Sequence, residues 1–201
     1  MMPPWLRTAM EFEASVWTSI AAWILRKPRV PPGATAHPYL GAVSTVLWVF
    51  IVLSAVEIPI FDLLLQPWPW VRIPVLLLGI WGLTFMIGFL LSMLVNPHAV
   101  GDEGIRVRHG ARLDIAIPWE NVRAVTLDQR GYEKSTAVQV DGTVLSICLI
   151  SETNVRIELD GPLTVDLPAG PTVVTEIRCR VDDAGAFVRD ARAALAAASS
   201  R

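Results

Sequence analysis

The stretch GDEGIRVRHGARLDIAIPWENVRAV, residues 101–125, decides how this chain is read. Ile105 and Val107 alternate with Arg106 and Arg108, and Leu113, Ile115 and Ile117 alternate with Asp114 and Ala116. A period of two marks half-buried antiparallel strands. HGAR (109–112) reads as a short hairpin turn, PWENV (118–122) breaks the second strand, and VRAVTLD (122–128) resumes it. The stretch begins six residues after a long apolar run ends at Val95. A compact β-domain is therefore expected to start immediately beside that run.

Downstream, TVLSICLI (143–150), NVRIELD (154–160), LTVDL (163–167) and TVVTEIRCRV (172–181) continue the pattern. Seven strands in about 80 residues, with turn residues between them, predict a small barrel or sandwich. After VDDAG (181–185), the segment AFVRDARAALAAASS (186–200) carries Phe187, Val188, Ala191 and Leu195 on or near one helical face, with Asp182 or Asp183 as N-cap. A helix with such a stripe suits the open corner of a barrel, whose edge strands need cover.

Upstream, the composition changes. The chain is 53% hydrophobic and 18% charged, and residues 101–201 hold 12 of the 17 basic and 15 of the 19 acidic residues. That half carries a net charge of −3. A net-negative domain argues against nucleic acid as a partner, because neutralising phosphates needs a basic surface.

Residues 39–56 and 73–95 are free of charge, and about 20 apolar residues cross a hydrocarbon core of about 30 Å. They predict a two-helix transmembrane hairpin over 39–95, with spans at about 39–61 and 73–95. QPWPW (66–70) joins them; its prolines stop helix propagation and its tryptophans suit the headgroup level. Arg26, Lys27 and Arg29 precede the first span and Arg106, Arg108 and Arg112 follow the second, so the positive-inside rule places both termini in the cytoplasm. Gly88 and Ser92 make a small-xxx-small step that permits close helix approach, within the hairpin or between copies, so a homo-oligomer stays open.

Residues 1–38 form a third region. Trp5, Leu6, Met10, Phe12, Val16, Trp17, Ile20, Trp23 and Ile24 share one face at helical spacing, and VPPGA (30–34) ends the pattern. The expectation is an amphipathic helix, lying on the inner interface or packed on the domain or a partner. Glu11 and Glu13 interrupt any signal-peptide core.

The order of seven antiparallel strands and a C-terminal helix resembles the pleckstrin-homology-like (PH-like) fold. Residues 102–125 resemble the opening of bacterial PH-like domains, which often follow paired transmembrane helices; the matching residues are Gly104, Ile105, Val107, Ile117, Pro118, Trp119 and Val122. RKPRVPPGA (26–34) is similar to a segment that precedes the first span in actinobacterial membrane proteins of this architecture. The resemblance implies a seven-stranded PH-like barrel with a C-terminal helix over 101–201, and it is silent on activity.

Candidate site residues are few. Arg106, Arg108 and Arg112 flank the first turn and could meet an anionic headgroup, each adding about 1 kcal/mol near an anionic surface; the alternative is a solvated strand face balanced by Asp102, Glu103 and Asp114. HGAR is short for a phosphate cup. Trp119 reads as an anchor on the barrel or a partner contact. Glu57 is an intramembrane carboxylate, either an ion or proton site or paired with Arg72 across the hairpin. Cys148 and Cys179 read as small core residues, with a disulfide or a metal site as the alternative, and His37, His98 and His109 stand apart from one another along the chain. No HExxH, GxSxG, P-loop or dinucleotide fingerprint occurs.

The sequence thus predicts a non-catalytic scaffolding or interaction protein of the bacterial inner membrane, without a cofactor. Its expected partners are membrane lipids and a membrane protein. Alternatives are an anionic-lipid sensor and an accessory subunit of a transporter or envelope enzyme.

Overall fold

The computed structural model describes residues 17, 18, 20, 21, 23, 30–168 and 170–200. Trp17, Thr18, Ile20, Ala21 and Trp23 are helical; the rest of the expected amphipathic helix lies outside the described residues.

Two long helices form an antiparallel hairpin, α1 (Gly41–Leu64) and α2 (Pro69–Val95). Pro69 opens α2 at its first turn, where a missing N–H costs nothing, so α2 begins earlier than the uncharged run does. Both helices are long and apolar enough to cross a membrane, with a mean hydropathy of 2.2 over the segments Val43–Leu64 and Pro69–Val95. Only 6% and 22% of their most apolar stretches are buried within the chain. The core helix of a soluble domain would bury most of that surface. The helices meet closely at Gly79, where an added Cβ would lie 3.0 Å from Ile58 Cγ1.

The remaining elements form two open sheets rather than the closed barrel expected. The first is an antiparallel meander in the order β1 (Thr35–His37), β2 (His98–Gly101), β3 (Gly104–His109), β4 (Leu113–Pro118). The second runs β5-β8-β9-β7-β6, built from β5 (Val122–Gly131), β6 (Val138–Asp141), β7 (Val144–Ile147), β8 (Glu152–Leu167) and β9 (Gly170–Cys179). A 3₁₀ turn, Trp119–Asn121, carries the chain from one sheet to the other. No backbone ladder joins β4 to β5 among the described residues, so the sheets pack through side chains.

Among the described residues there are nine strands: β1 and β2 precede Gly104, and the stretch over which seven are expected holds seven, differently divided. NVRIELD and LTVDL are one strand, β8, whose register slips between Glu158 and Leu163 and so absorbs the Asp160-Gly161-Pro162 turn signal as a bulge. β6 is an addition, and β7 pairs with β9 in parallel, Val144 opposite Glu176. β1 and β2 come from segments where the sequence pattern predicts no strand. They pair Thr35 with Val100 and His37 with His98, so the helical hairpin is inserted between two neighbouring strands of one sheet.

Inward-facing Ile105, Val107, Leu113, Ile115 and Ile117 pack against Val125, Leu145, Val155, Ile157 and Ile177 of the second sheet. The C-terminal helix α3 (Ala184–Ser199) lies across β5 and β2 and buries Phe187, Val188 and Ala191 in the same core. Asp183 caps it, accepting from Ala186 N–H at 2.8 Å, and Arg192 Nε donates to the Val125 carbonyl on β5 at 2.9 Å. Cys148 and Cys179 are free and buried; burial pushes the Cys179 thiol up to about 12.

Candidate functional site

The three histidines, far apart in sequence, converge at the foot of the helical hairpin. β1 and β2 place His37 and His98 opposite each other, and Tyr39 stacks on His98 at 4.6 Å and His109 at 6.3 Å between ring centroids. The rings of His37 and His98 meet the edge or face of Phe187 on α3. His98 is fully satisfied: Nδ1 accepts from Arg108 N–H at 3.0 Å and Nε2–H donates to the Arg180 carbonyl at 3.0 Å. These partners fix the neutral tautomer, and burial holds its pKa down at about 4. His37 Nε2 lies 3.4 Å from Asp190 Oδ2, and burial lowers its pKa despite the nearby Asp190 and Asp183 carboxylates. Burial raises the Tyr39 phenol to about 12.

The HGAR turn rests on this foot. Gly110 N–H donates to the Tyr39 hydroxyl at 2.8 Å and Ala111 N–H to Ser92 Oγ of α2 at 3.1 Å. Ser92, half of the small-residue step, thus faces the turn. Asn96 Nδ2 closes α2 by donating to the Ser92 carbonyl at 2.7 Å. Apolar packing continues the joint, with Tyr39, Leu40, Ile51, Leu90, Met93 and Leu149 in one buried cluster. The sequence held no signal for this assembly, because each ring stands alone until β1 pairs with β2.

The arginines flanking the first turn differ in burial. Arg106 and Arg108 both lie against Asp114 Oδ1, at 3.4 and 3.1 Å. The Arg108 side chain is only 5% exposed, while Arg106 is 40% exposed. Arg112 is exposed at the turn. Trp119 is buried in the core, and its indole N–H donates to the Gly101 carbonyl at 3.0 Å, tying the corner to β2.

Between α1 and α2 lies a cleft of about 310 Å³, lined by Ser54, Glu57, Asp62, Arg72, Gly79 and Met86 among others. Arg72 is committed to Asp62, donating from Nε and Nη2 at 2.7 and 2.8 Å. This is a bidentate pair that closes the turn end of the hairpin. Glu57 therefore faces the cleft without Arg72, and no other basic side chain reaches it among the described residues.

Two further concavities open on the sheets. One of about 440 Å³ lies beside the β2–β3 turn, where Pro31 and Pro32 face Asp102, Glu103 and Arg106. The other, about 690 Å³, lies between the 131–136 segment and β6, the edge of the second sheet. Tyr132 reaches across this bowl, its hydroxyl 2.9 Å from Ser146 Oγ. Beneath it, Glu176 accepts from Arg178 and from Arg156, the latter at 2.8 Å. Burial pushes the Glu176 carboxyl up, but the two arginines outweigh it and hold it below the usual range. Among the described residues, no group of three or more His, Cys, Asp or Glu side chains is placed to hold a metal ion.

No protein-family model, curated protein or solved structure matches this chain.

Proposed function

We propose that this chain is a non-catalytic, membrane-anchored interaction module of the bacterial inner membrane, with a PH-like domain and both termini in the cytoplasm. The observation that carries the reading is the insertion of the apolar hairpin between β1 and β2. Both ends of the hairpin enter one sheet, so the domain is docked on the hairpin rather than hung from a single linker. Tethering of this kind raises the effective concentration of the domain's surfaces at the membrane.

The surface best suited to a protein partner is the β6 edge with its adjoining polar bowl. β6 has a neighbour on one side only, and Val140 is 45% exposed on it. An extended peptide adds to such an edge through main-chain hydrogen bonds. The opposite edge strand, β5, is less open, because Arg192 occupies its Val125 carbonyl. The test is photo-crosslinking in intact membranes from a probe at Val140, followed by identification of the adducts. A recurrent protein adduct is expected; its absence, with lipid adducts instead, would sink the scaffold reading.

A second reading, accessory subunit of a membrane complex, has one observation in its favour. Glu57 faces the interhelical cleft with Arg72 already taken by Asp62. A cationic side chain on a partner helix would complement it. Glu57→Gln should then lower recovery of the complex from membranes; unchanged recovery would remove this reading.

A further inference from the structure

The turn joining β7 to β8 has a backbone that its residues do not favour. Ile150 and Ser151 both lie in the left-handed region, with φ of 51° and 56°. They close a two-residue loop in which Leu149 and Glu152 exchange both backbone hydrogen bonds, each at 3.1 Å. Loops with two positive φ values are ordinarily built from Asn and Gly, because a branched Cβ crowds the backbone there. Ile150 is also 61% exposed, so little packing within the chain offsets the strain. A strained residue persists where its surroundings or its role require it, and an outward isoleucine implies a partner outside the chain.

The neighbouring contacts say where that partner lies. Leu149 is buried in the apolar cluster with Leu40, Leu90 and Met93 at the foot of the hairpin. Counting from Arg72 at the turn end, about 20 helical residues cross the hydrocarbon core. That brings the inner boundary near Leu91, a level that Leu90 and Met93 straddle. Leu149 meets the hairpin there, and Ile150 projects from it.

We infer that Ile150 is a third membrane contact, inserted into the acyl-chain boundary of the inner leaflet beside the two-helix hairpin. The inference rests on the reading that α1 and α2 cross the bilayer. Burying the exposed isoleucine in lipid removes apolar surface from water and offsets the strained turn. A third point of attachment fixes the rotation of the domain about the hairpin, and with it the direction in which the β6 edge faces.

The test uses the full chain in vesicles of phosphatidylethanolamine and phosphatidylglycerol. An environment-sensitive dye is attached at Ile150→Cys, at Leu77→Cys on the exposed middle of the hairpin, and at Asp141→Cys, the last residue of β6, beside the start of β7 and away from the β7–β8 turn. The unsubstituted chain gives the labelling background of buried Cys148 and Cys179. Lipids brominated on their acyl chains should quench the dye at 150 and at 77 and leave the dye at 141 unaffected. Quenching at 77 with position 150 as unquenched as 141 would overturn the inference and leave the hairpin reading intact. Absence of quenching at 77 as well as at 150 would overturn both.

Discussion

Asp182 Oδ1 accepts a hydrogen bond from the Gly41 N–H at 2.8 Å, across 141 residues of chain. Gly41 is the first residue of α1, and its own N-cap position, Leu40, offers no side-chain acceptor. The next residue, Asp183, caps α3. Two consecutive aspartates therefore terminate two helices from opposite ends of the chain, and a carboxylate at each N-terminus is favoured by the helix dipole. Gly41 is suited to the contact, since a Cβ there would already lie 3.0 Å from the Asp182 carboxylate.

Asp182→Ala should destabilise the junction by about 0.5–2 kcal/mol, the usual cost of a lost cap. Asp182→Asn, which keeps an acceptor, should recover most of that loss. Thermal unfolding in mild detergent compares the two variants, and equal losses would show that the charge rather than the hydrogen bond stabilises α1.

Stability should decline as pH falls from about 6.5 to about 4. An unfolded histidine titrates near 6.5, whereas burial holds His98 at about 4 in the folded chain. Between those values the unfolded chain takes up a proton that the folded chain refuses, so unfolding is favoured as pH drops. At about 1.4 kcal/mol per unit the loss approaches about 3 kcal/mol and levels off below pH 4. Burial lowers His37 and His109 in the same direction, so their contributions add. Unfolding midpoints from pH 5 to 8 should slope less steeply in His98→Gln; an unchanged slope would remove His98 as the cause.

Gly104→Ala should disrupt the β2–β3 turn. Its φ is +148°, and an added Cβ would fall 2.1 Å from the Ile117 carbonyl oxygen, a backbone atom with little freedom to yield. The strained dihedral alone costs about 1–3 kcal/mol, and the clash adds to it by forcing β3 away from β4. Denaturant unfolding of the purified protein measures the loss, and a loss under 1 kcal/mol would contradict the turn geometry.

Replacing the arginines should affect stability rather than lipid binding. Arg106→Ala with Arg112→Ala should leave the lipids retained in native mass spectrometry unchanged. Arg108→Ala should lower the unfolding midpoint, because a nearly buried guanidinium beside Asp114 is removed. Lipid lost in the double variant with stability intact would favour the lipid-sensing alternative.

The elements legible in the sequence are those whose pattern is long enough to have only one reading. The helical hairpin follows from two uninterrupted apolar runs, and β3, β4, β5 and β9 follow from a period of two. β1, with three residues, and β2 and β6, with four each, are too short to show a period, and β1 lies next to prolines that suggest a linker. The cleft residues were visible as isolated charges in apolar runs. Their pairing was not, because Asp62 and Glu57 are both within plausible reach of Arg72 across a tight turn, and only the helix phase selects Asp62.

By itself the sequence determined that an apolar hairpin precedes a β-rich domain ending in a helix, because hydrophobic periodicity is a local property of the chain. Tertiary structure decided that HGAR sits on Ser92 and Tyr39, that His98 and His109 stack on Tyr39 while His37 and His98 meet Phe187, and that the hairpin is inserted within a sheet. Those outcomes depend on contacts between residues far apart in the chain, from the 19 positions between Ser92 and Ala111 to the longer separation of His37 and His98. Such pairings form because buried backbone groups require partners, and nothing in the local sequence names the partner.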